Sequence, residues 1–262
     1  MTLPEISVVI PAFNESRYLP RLLAGVEQAR SRYRRGIDTI EVIVADNGST
    51  DDTVAIAKAH GCLVAPVAKR IIGAVRNGGA QVARGNIVAF VDADTQIHPE
   101  TFNAIDDYFA PGTRIVGVTG ARPERRSRGI DVTWGILGTL TVLLRYGMPR
   151  TRSECAPTGV VACRREDWEA VGRYSEKVLF AEDVLFLLAL RRLGRRQRKQ
   201  TGWLKGVPAI FSMRKFDQHG DWHYVTFPLR ILLGAVWPPT LIRWANAYWY
   251  GQQRANVPSK TI

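Results

Sequence analysis

An open, largely parallel α/β sheet covered by helices on both faces is the fold class that this 262-residue sequence predicts. Three observations predict it. Short apolar runs at residues 6–10, 40–45 and 87–91 show no alternation of polar and apolar side chains, as expected of strands buried on both faces. Segments of helical periodicity separate these runs, which is the βαβ rhythm that builds parallel sheets through right-handed crossovers. Polar and acidic residues stand within five positions after each run, and sheets of this kind bind ligands at the carboxyl ends of their strands.

The elements follow in order. Residues 6–10 read as a strand, and residues 15–28 as an amphipathic helix with Leu19, Leu22, Leu23 and Val26 on one face. Residues 40–45 form the second strand. Ser49, Thr50, Asp51 and Asp52 supply capping residues for a helix over 53–60 that Gly61 stops. A short third strand is expected at 63–67, a helix at 74–84 stopped by Gly85, and then the strand that ends in Asp92. The second half is less regular: a strand at 115–119, a helix at 132–144, a strand at 159–164, and a short helix at 166–171 ended by Gly172. The last clear helix covers 181–193, with Gly194 as its stop and arginines in its last turn. No linker rich in Pro, Gly or Ser divides the chain, so one domain over 1–262 is expected.

A composition of 46% hydrophobic and 23% charged residues is that of an ordinary folded protein. The net charge of +12, with basic clusters in 30–35, 122–128 and 191–199, favours anionic partners: phosphorylated substrates or an anionic membrane surface. No paired Cys/His spacing or aromatic RNP-like strand accompanies the charge, so no nucleic-acid partner is expected. Cys62, Cys155 and Cys163 form no C-x-x-C pair, which points to neither a disulfide framework nor a zinc site and fits a reducing cytoplasm. Met1 leads into the first strand without a basic n-region or a long apolar h-region, so nothing there directs export. Two apolar segments, 132–144 and 227–249, are too short or too interrupted to span a bilayer, the second by Pro238 and Pro239 with Arg230 and Arg243 beside them. With Trp237, Trp244, Tyr248 and Trp249, that second segment suits a membrane interface, a buried carboxy-terminal helix or a subunit contact.

Asp92-Ala93-Asp94 carries the first chemistry. Residues two apart in an extended segment point the same way, so both carboxylates can face one cation or its water shell. Such oxygen ligands suit Mg²⁺ or Mn²⁺, although an isolated D-x-D is more often an acidic loop that caps the next helix. Pro11-Ala12-Phe13-Asn14-Glu15 follows the first strand, where Asn14 can cap the helix behind it. Asp46-Asn47-Gly48-Ser49 follows the second; Asp46 can accept a hydrogen bond from a base N–H, and Gly48 lets a ligand approach the backbone.

Taken in series with Gly73-Ala74-Val75-Arg76-Asn77 and Phe180-Ala181-Glu182-Asp183, these segments resemble the family 2 glycosyltransferases of the GT-A fold over roughly the first three-quarters of the chain. The resemblance implies an enzyme: a metal-dependent, inverting transferase, with hexosyl transfer implied, that moves a sugar from a UDP- or GDP-linked donor to a saccharide or lipid-linked acceptor. It implies a nucleotide-sugar-binding half over 1–95, an acceptor and catalytic half over 96–214, and a basic, aromatic segment over 215–262 that can face a membrane. Pro11, Ala12, Phe13 and Glu15 are implied to line the nucleoside pocket, with Gly73 nearby, Asp46 on the base and Arg76 by the base and ribose. Asn47 departs from the commoner double aspartate.

By the same resemblance Asp94 is the direct ligand of a divalent cation, Mn²⁺ or Mg²⁺. Asp92 lies toward the ribose or a metal-bound water, with Ala93 between them. Asp183 matches the general base, and Glu182 supports it or the acceptor. A cation at the D-x-D would stabilise charge on the departing diphosphate without a proton transfer. Arg214 and Lys215 can clamp the diphosphate. His219 or His223 can complete the metal shell, although lone histidines are more often structural or solvated, and Trp134, Trp168 and Trp222 can stack on sugars, although an aromatic residue at such positions is usually core. A cytoplasmic location is expected, peripheral at the inner face of the cell membrane. The alternatives are a nucleotidyltransferase acting on a sugar phosphate and a non-catalytic nucleotide-sugar-binding protein.

Overall fold

The computed structural model describes residues 4–132, 135, 158–178, 181–214 and 217. Four strands, β1 (Ile6–Ala12), β2 (Ile40–Asp46), β3 (Leu63–Pro66) and β4 (Ile87–Val91), pair in parallel. Every residue of β1, β2 and β4 is buried, which is why their sequences carry no alternation. β5 (Arg114–Pro123), β6 (Thr158–Arg164) and β7 (Gln200–Phe211) complete a seven-stranded sheet of order β3-β2-β1-β4-β6-β5-β7. β6 runs antiparallel to both β4 and β5, while β7 is parallel to β5.

The helices are α1 (Leu19–Ser31), α2 (Thr53–Ala59), α3 (Ile72–Gln81), α4 (Thr101–Phe109), α5 (Arg165–Ala170) and α6 (Glu182–Gln197). Alternate strand residues feed two cores. Val8, Ile10, Val42 and Val44 pack with Leu19, Leu22 and Val26 of α1 and Phe102 and Ile105 of α4. Val9, Ile43, Val88 and Phe90 face the other way, onto Ala80 of α3, Trp168 of α5, and Phe186 and Leu190 of α6. Trp168 is 1% exposed in that core and so offers no face to a sugar, which leaves it the core role.

Several elements differ from their sequence reading. α1 starts at Leu19, not at residue 15, and Asn14 does not cap it: with φ +53°, Asn14 accepts a hydrogen bond from the Thr50 N–H at 2.8 Å and ties two loops together. At the start of α2 the capping expectation holds for Asp51, whose carboxylate accepts from the Thr53 N–H and hydroxyl. α6 passes through Gly194, whose missing Cβ would lie 2.8 Å from Ile115 Cγ2; it ends at Arg198, in the left-handed region. The glycine there serves close packing instead of termination. α4 and β7 were not anticipated. The helix expected at 132–144 lies almost wholly outside the described residues, as do Trp134, Cys155, Trp222 and the aromatic segment 227–249. Among the described residues no helix is long and apolar enough to cross a membrane.

Candidate active site

The carboxyl ends of β1, β2 and β4 meet the amino terminus of α6 and the exit of β7. At the end of β2 the Asp46 carboxylate, buried, accepts backbone N–H groups of Gly48 at 3.1 Å and Ser49 at 3.2 Å. The turn requires φ +77° at Gly48, which glycine adopts without strain. Asn47 donates its amide to the carbonyls of Val67 (2.7 Å) and Lys69 (3.1 Å), pinning the exit of β3. An ionised aspartate has no hydrogen to donate to those carbonyls, so the departure from a double aspartate has a local physical reason.

Pro11 and Ala12 are buried in the last residues of β1, and Phe13 beyond them lies 5.0 Å beneath the Arg70 guanidinium. Glu15 is held by its N–H on Thr53 Oγ1 at 2.7 Å, and both its carboxylate oxygens accept from Arg214 Nη1 at 2.8 Å. Burial pushes the Glu15 carboxyl up to about 7; Arg214 opposes this, and the neighbouring Asp94 and Asp92 reinforce it. The other arm of Arg214 reaches Asp94 Oδ2 at 3.1 Å, with the guanidinium over the Tyr18 ring. Burial works against the Arg214 charge, yet Asp94 and Glu15 hold its pKa above the ordinary arginine value. An isolated antiparallel bridge between Gln96 and Ile210 brings the exit of β7 against the loop after β4 and so places Arg214.

Within the D-x-D, Ala93 turns into the core while Asp92 and Asp94 point away from it, as a two-residue period requires. Arg76 of α3 donates from Nη2 to Asp92 Oδ1 at 2.8 Å and from Nη1 to Glu182 Oε1. Burial raises the Glu182 pKa, with Arg76 acting against it. Asp183, half-buried, accepts the Val184 N–H at 2.8 Å. The residue before this pair, Ala181, stands at φ +59°, a left-handed conformation that costs a non-glycine residue about 1–2 kcal/mol. Gly73 in the first turn of α3 is a packing position: a Cβ there would meet the Ser175 carbonyl oxygen at 2.4 Å.

The structure therefore brings two sets of ion pairs to this edge, Arg76 with Asp92 and Glu182, and Arg214 with Glu15 and Asp94; Asp183 stands beside the first. Lys215, Phe216, His219 and His223 lie outside the described residues. Among the described residues no group of three or more His, Cys, Asp or Glu side chains converges as a metal site. Tyr18, Arg70 and Tyr174 were not singled out from sequence. Their signals, lone aromatics and an arginine in loops, carry no spacing that marks them.

The part of the chain that carries the strand exits of this edge is matched by a family model. The model for glycosyl transferase family 2 covers residues 7–161, more than half of the sequence. The chain belongs to that family. It is similar to the undecaprenyl-phosphate 4-deoxy-4-formamido-L-arabinose transferase of Pseudomonas paraeruginosa, 35% identical over 136 residues that make up 49% of this chain and 38% of that protein. The match thus spans less than half the length of that relative.

Among solved structures, S. aureus TarS 1-349 in complex with UDP-GlcNAc is similar with a TM-score of 0.59 and 18% identity, covering 79% of this chain and 58% of that one. Glucosyl-3-phosphoglycerate synthase of Mycobacterium tuberculosis, in complex with Mn²⁺, UDP and phosphoglyceric acid, has a TM-score of 0.54 and 21% identity, covering 87% and 78%. These likenesses establish the shared GT-A fold.

Proposed function

We propose that this family member is a metal-dependent, inverting glycosyltransferase that moves a sugar from a UDP- or GDP-linked donor to an acceptor hydroxyl. One observation carries the reading: acidic groups from separate parts of the chain, Asp92 and Asp94 after β4 and Glu182 and Asp183 opening α6, share one sheet edge through Arg76. That is the divided geometry a displacement needs, with donor-side charge on one wall and a base on the other.

Asp183 acts as general base. It takes the proton of the acceptor hydroxyl as that oxygen attacks the anomeric carbon, and the bond to the nucleoside diphosphate breaks with its electron pair leaving on the β-phosphate oxygen. Inversion at the anomeric carbon follows from a single in-line displacement. Pro11, Ala12, Phe13 and Asp46 border the nucleoside, and Arg214 stands where the diphosphate would arrive. The Asp92 and Asp94 carboxylates fit a hard divalent cation, being oxygen donors two residues apart with Asp94 already drawn to a guanidinium. Such a cation, when bound, stabilises negative charge on the departing diphosphate.

The comparisons support this reading in general terms: one similar structure holds UDP-GlcNAc, another holds Mn²⁺ and UDP, and one relative is named for transfer to undecaprenyl phosphate. The net charge of +12 agrees with work at the cytoplasmic face of a membrane, on a saccharide or lipid-linked acceptor. Strands from both 1–95 and 96–214 enter one sheet, which favours a single transferase domain.

Thermal unfolding with UDP or GDP, each with and without Mn²⁺, tests the reading, because a ligand of the folded state alone raises its apparent stability. One nucleoside diphosphate should raise the midpoint, more so with Mn²⁺, and Asp94→Ala should abolish the metal-dependent part. No stabilisation by either nucleotide with Mn²⁺, or a metal-dependent rise unchanged in Asp94→Ala, refutes it.

A further inference from the structure

Arg76 is the one side chain described that touches both walls of the site. It is 9% exposed, and its two terminal nitrogens are committed, Nη2 to Asp92 at 2.8 Å and Nη1 to Glu182. Its guanidinium lies 5.4 Å from the centre of the Tyr174 ring. That ring stacks on Phe186 of α6 at 4.0 Å, and both rings meet Phe90 of β4 edge-on, at 4.9 and 6.0 Å. Phe186 is one helical turn after Glu182, and Phe90 stands two residues before Asp92. The ion pairs and the aromatic cluster therefore join the same two elements.

The next residue along α3, Asn77, adds a third grip: its amide donates to the Tyr174 carbonyl and its oxygen accepts the Tyr174 N–H, both at 3.0 Å. Turning the guanidinium toward a base or ribose would strip Glu182, whose side chain is only 8% exposed, of its partner.

We propose that Arg76 is a positioning residue that fixes the amino terminus of α6, and with it Asp183, relative to the donor-side Asp92, in place of the nucleoside contact implied by family resemblance. The inference rests on the transferase reading above. A planar, two-armed cation is suited to this: one guanidinium holds two carboxylates at a set separation, whereas an ammonium is a point charge on a flexible stem. Asp183 also favours the Arg76 charge, so base and strut lie within electrostatic reach.

The test compares the full chain with Arg76→Lys, Glu182→Gln and the double variant. UDP and GDP affinities are measured by calorimetry with Mn²⁺, and kcat is measured for sugar transfer, or for hydrolysis of UDP- and GDP-hexoses. Arg76→Lys should leave the nucleotide Kd within about threefold while kcat falls about 100-fold, the scale of a small misplacement of reacting groups. Glu182→Gln should lower kcat similarly. The double variant should be no worse than either single one within about threefold, because the two act through one contact.

A Kd raised about tenfold or more with kcat intact would make Arg76 a nucleotide ligand, and multiplicative losses in the double variant would separate it from Glu182; either result overturns the inference. If Arg76→Lys does not fold, the paired Arg76→Met, Glu182→Met variant, which removes charge from both sides of the buried contact, carries the same comparison. A parent chain that binds neither nucleotide and cleaves no sugar nucleotide sinks the transferase reading itself, a result distinct from either outcome in the variants.

Discussion

Glu15 makes stability depend on pH in an unusual direction for a carboxylate paired with an arginine. In the unfolded chain it ionises near 4.5, whereas in the folded protein burial, reinforced by Asp94 and Asp92, outweighs Arg214 and holds the carboxyl at about 7. The folded state therefore binds this proton more tightly. Its stabilising effect is fully present below the unfolded value, is lost as pH rises toward 7, and levels off above that.

Linkage between those two values gives a loss of about 2–3 kcal/mol between about pH 5 and pH 8. The Glu15 side chain is only 9% exposed, so solvent screening takes little from this figure. Urea unfolding of the parent and of Glu15→Gln across that range isolates the effect, because every other titrating group is common to both proteins. Glutamine keeps an acceptor for Arg214, which stays paired with Asp94. The parent should lose about 2–3 kcal/mol more than the variant over the range. Parallel stability profiles would refute the reasoning, as would a parent that gains stability relative to the variant.

Three further outcomes are expected. Asp183→Asn should keep nucleotide affinity and lower transfer by about 10²–10⁴-fold, the usual worth of a general base; transfer at the parent rate would remove Asp183 from that role. Ala181→Gly relieves a left-handed alanine at φ +59° and should raise stability by up to about 1 kcal/mol in chemical denaturation; an equal loss would mean that the backbone is not strained there. Gly159→Ala adds a Cβ 2.0 Å from Ala209 Cβ, between β6 and β7, and should cost about 1–3 kcal/mol; a neutral result would contradict that close approach.

Strands β1, β2 and β4 were legible because burial on both faces writes an uninterrupted apolar run into the sequence, and their exits marked the ligand edge. α3 and α6 were legible from helical periodicity, with boundaries displaced by a few residues. β7 was not, since Gly202, Gly206 and Pro208 interrupt its pattern. The strand tolerates them at a sheet edge, where Gly202 also makes room for the Tyr108 hydroxyl, which an added Cβ would meet at 2.8 Å. α4 carries Phe102, Ile105 and Phe109 on one buried face, a helical spacing that the sequence does contain. Trp168 could not be assigned from sequence, because an aromatic residue serves a core and a sugar face equally well until its neighbours are known.

The sequence by itself determined the alternating elements, the strand exits and the acidic residues standing on them, since periodicity, capping and turn chemistry act over a few residues. Only the tertiary structure decided which charges meet. Arg76 joins Asp92, 16 residues away, to Glu182, 106 residues away, and Arg214 reaches back 199 residues to Glu15. No local rule encodes such pairs. The packing of α3, α6 and the β7 exit against one sheet edge sets them, and burial gives the Arg76–Glu182 and Arg214–Glu15 pairs their weight.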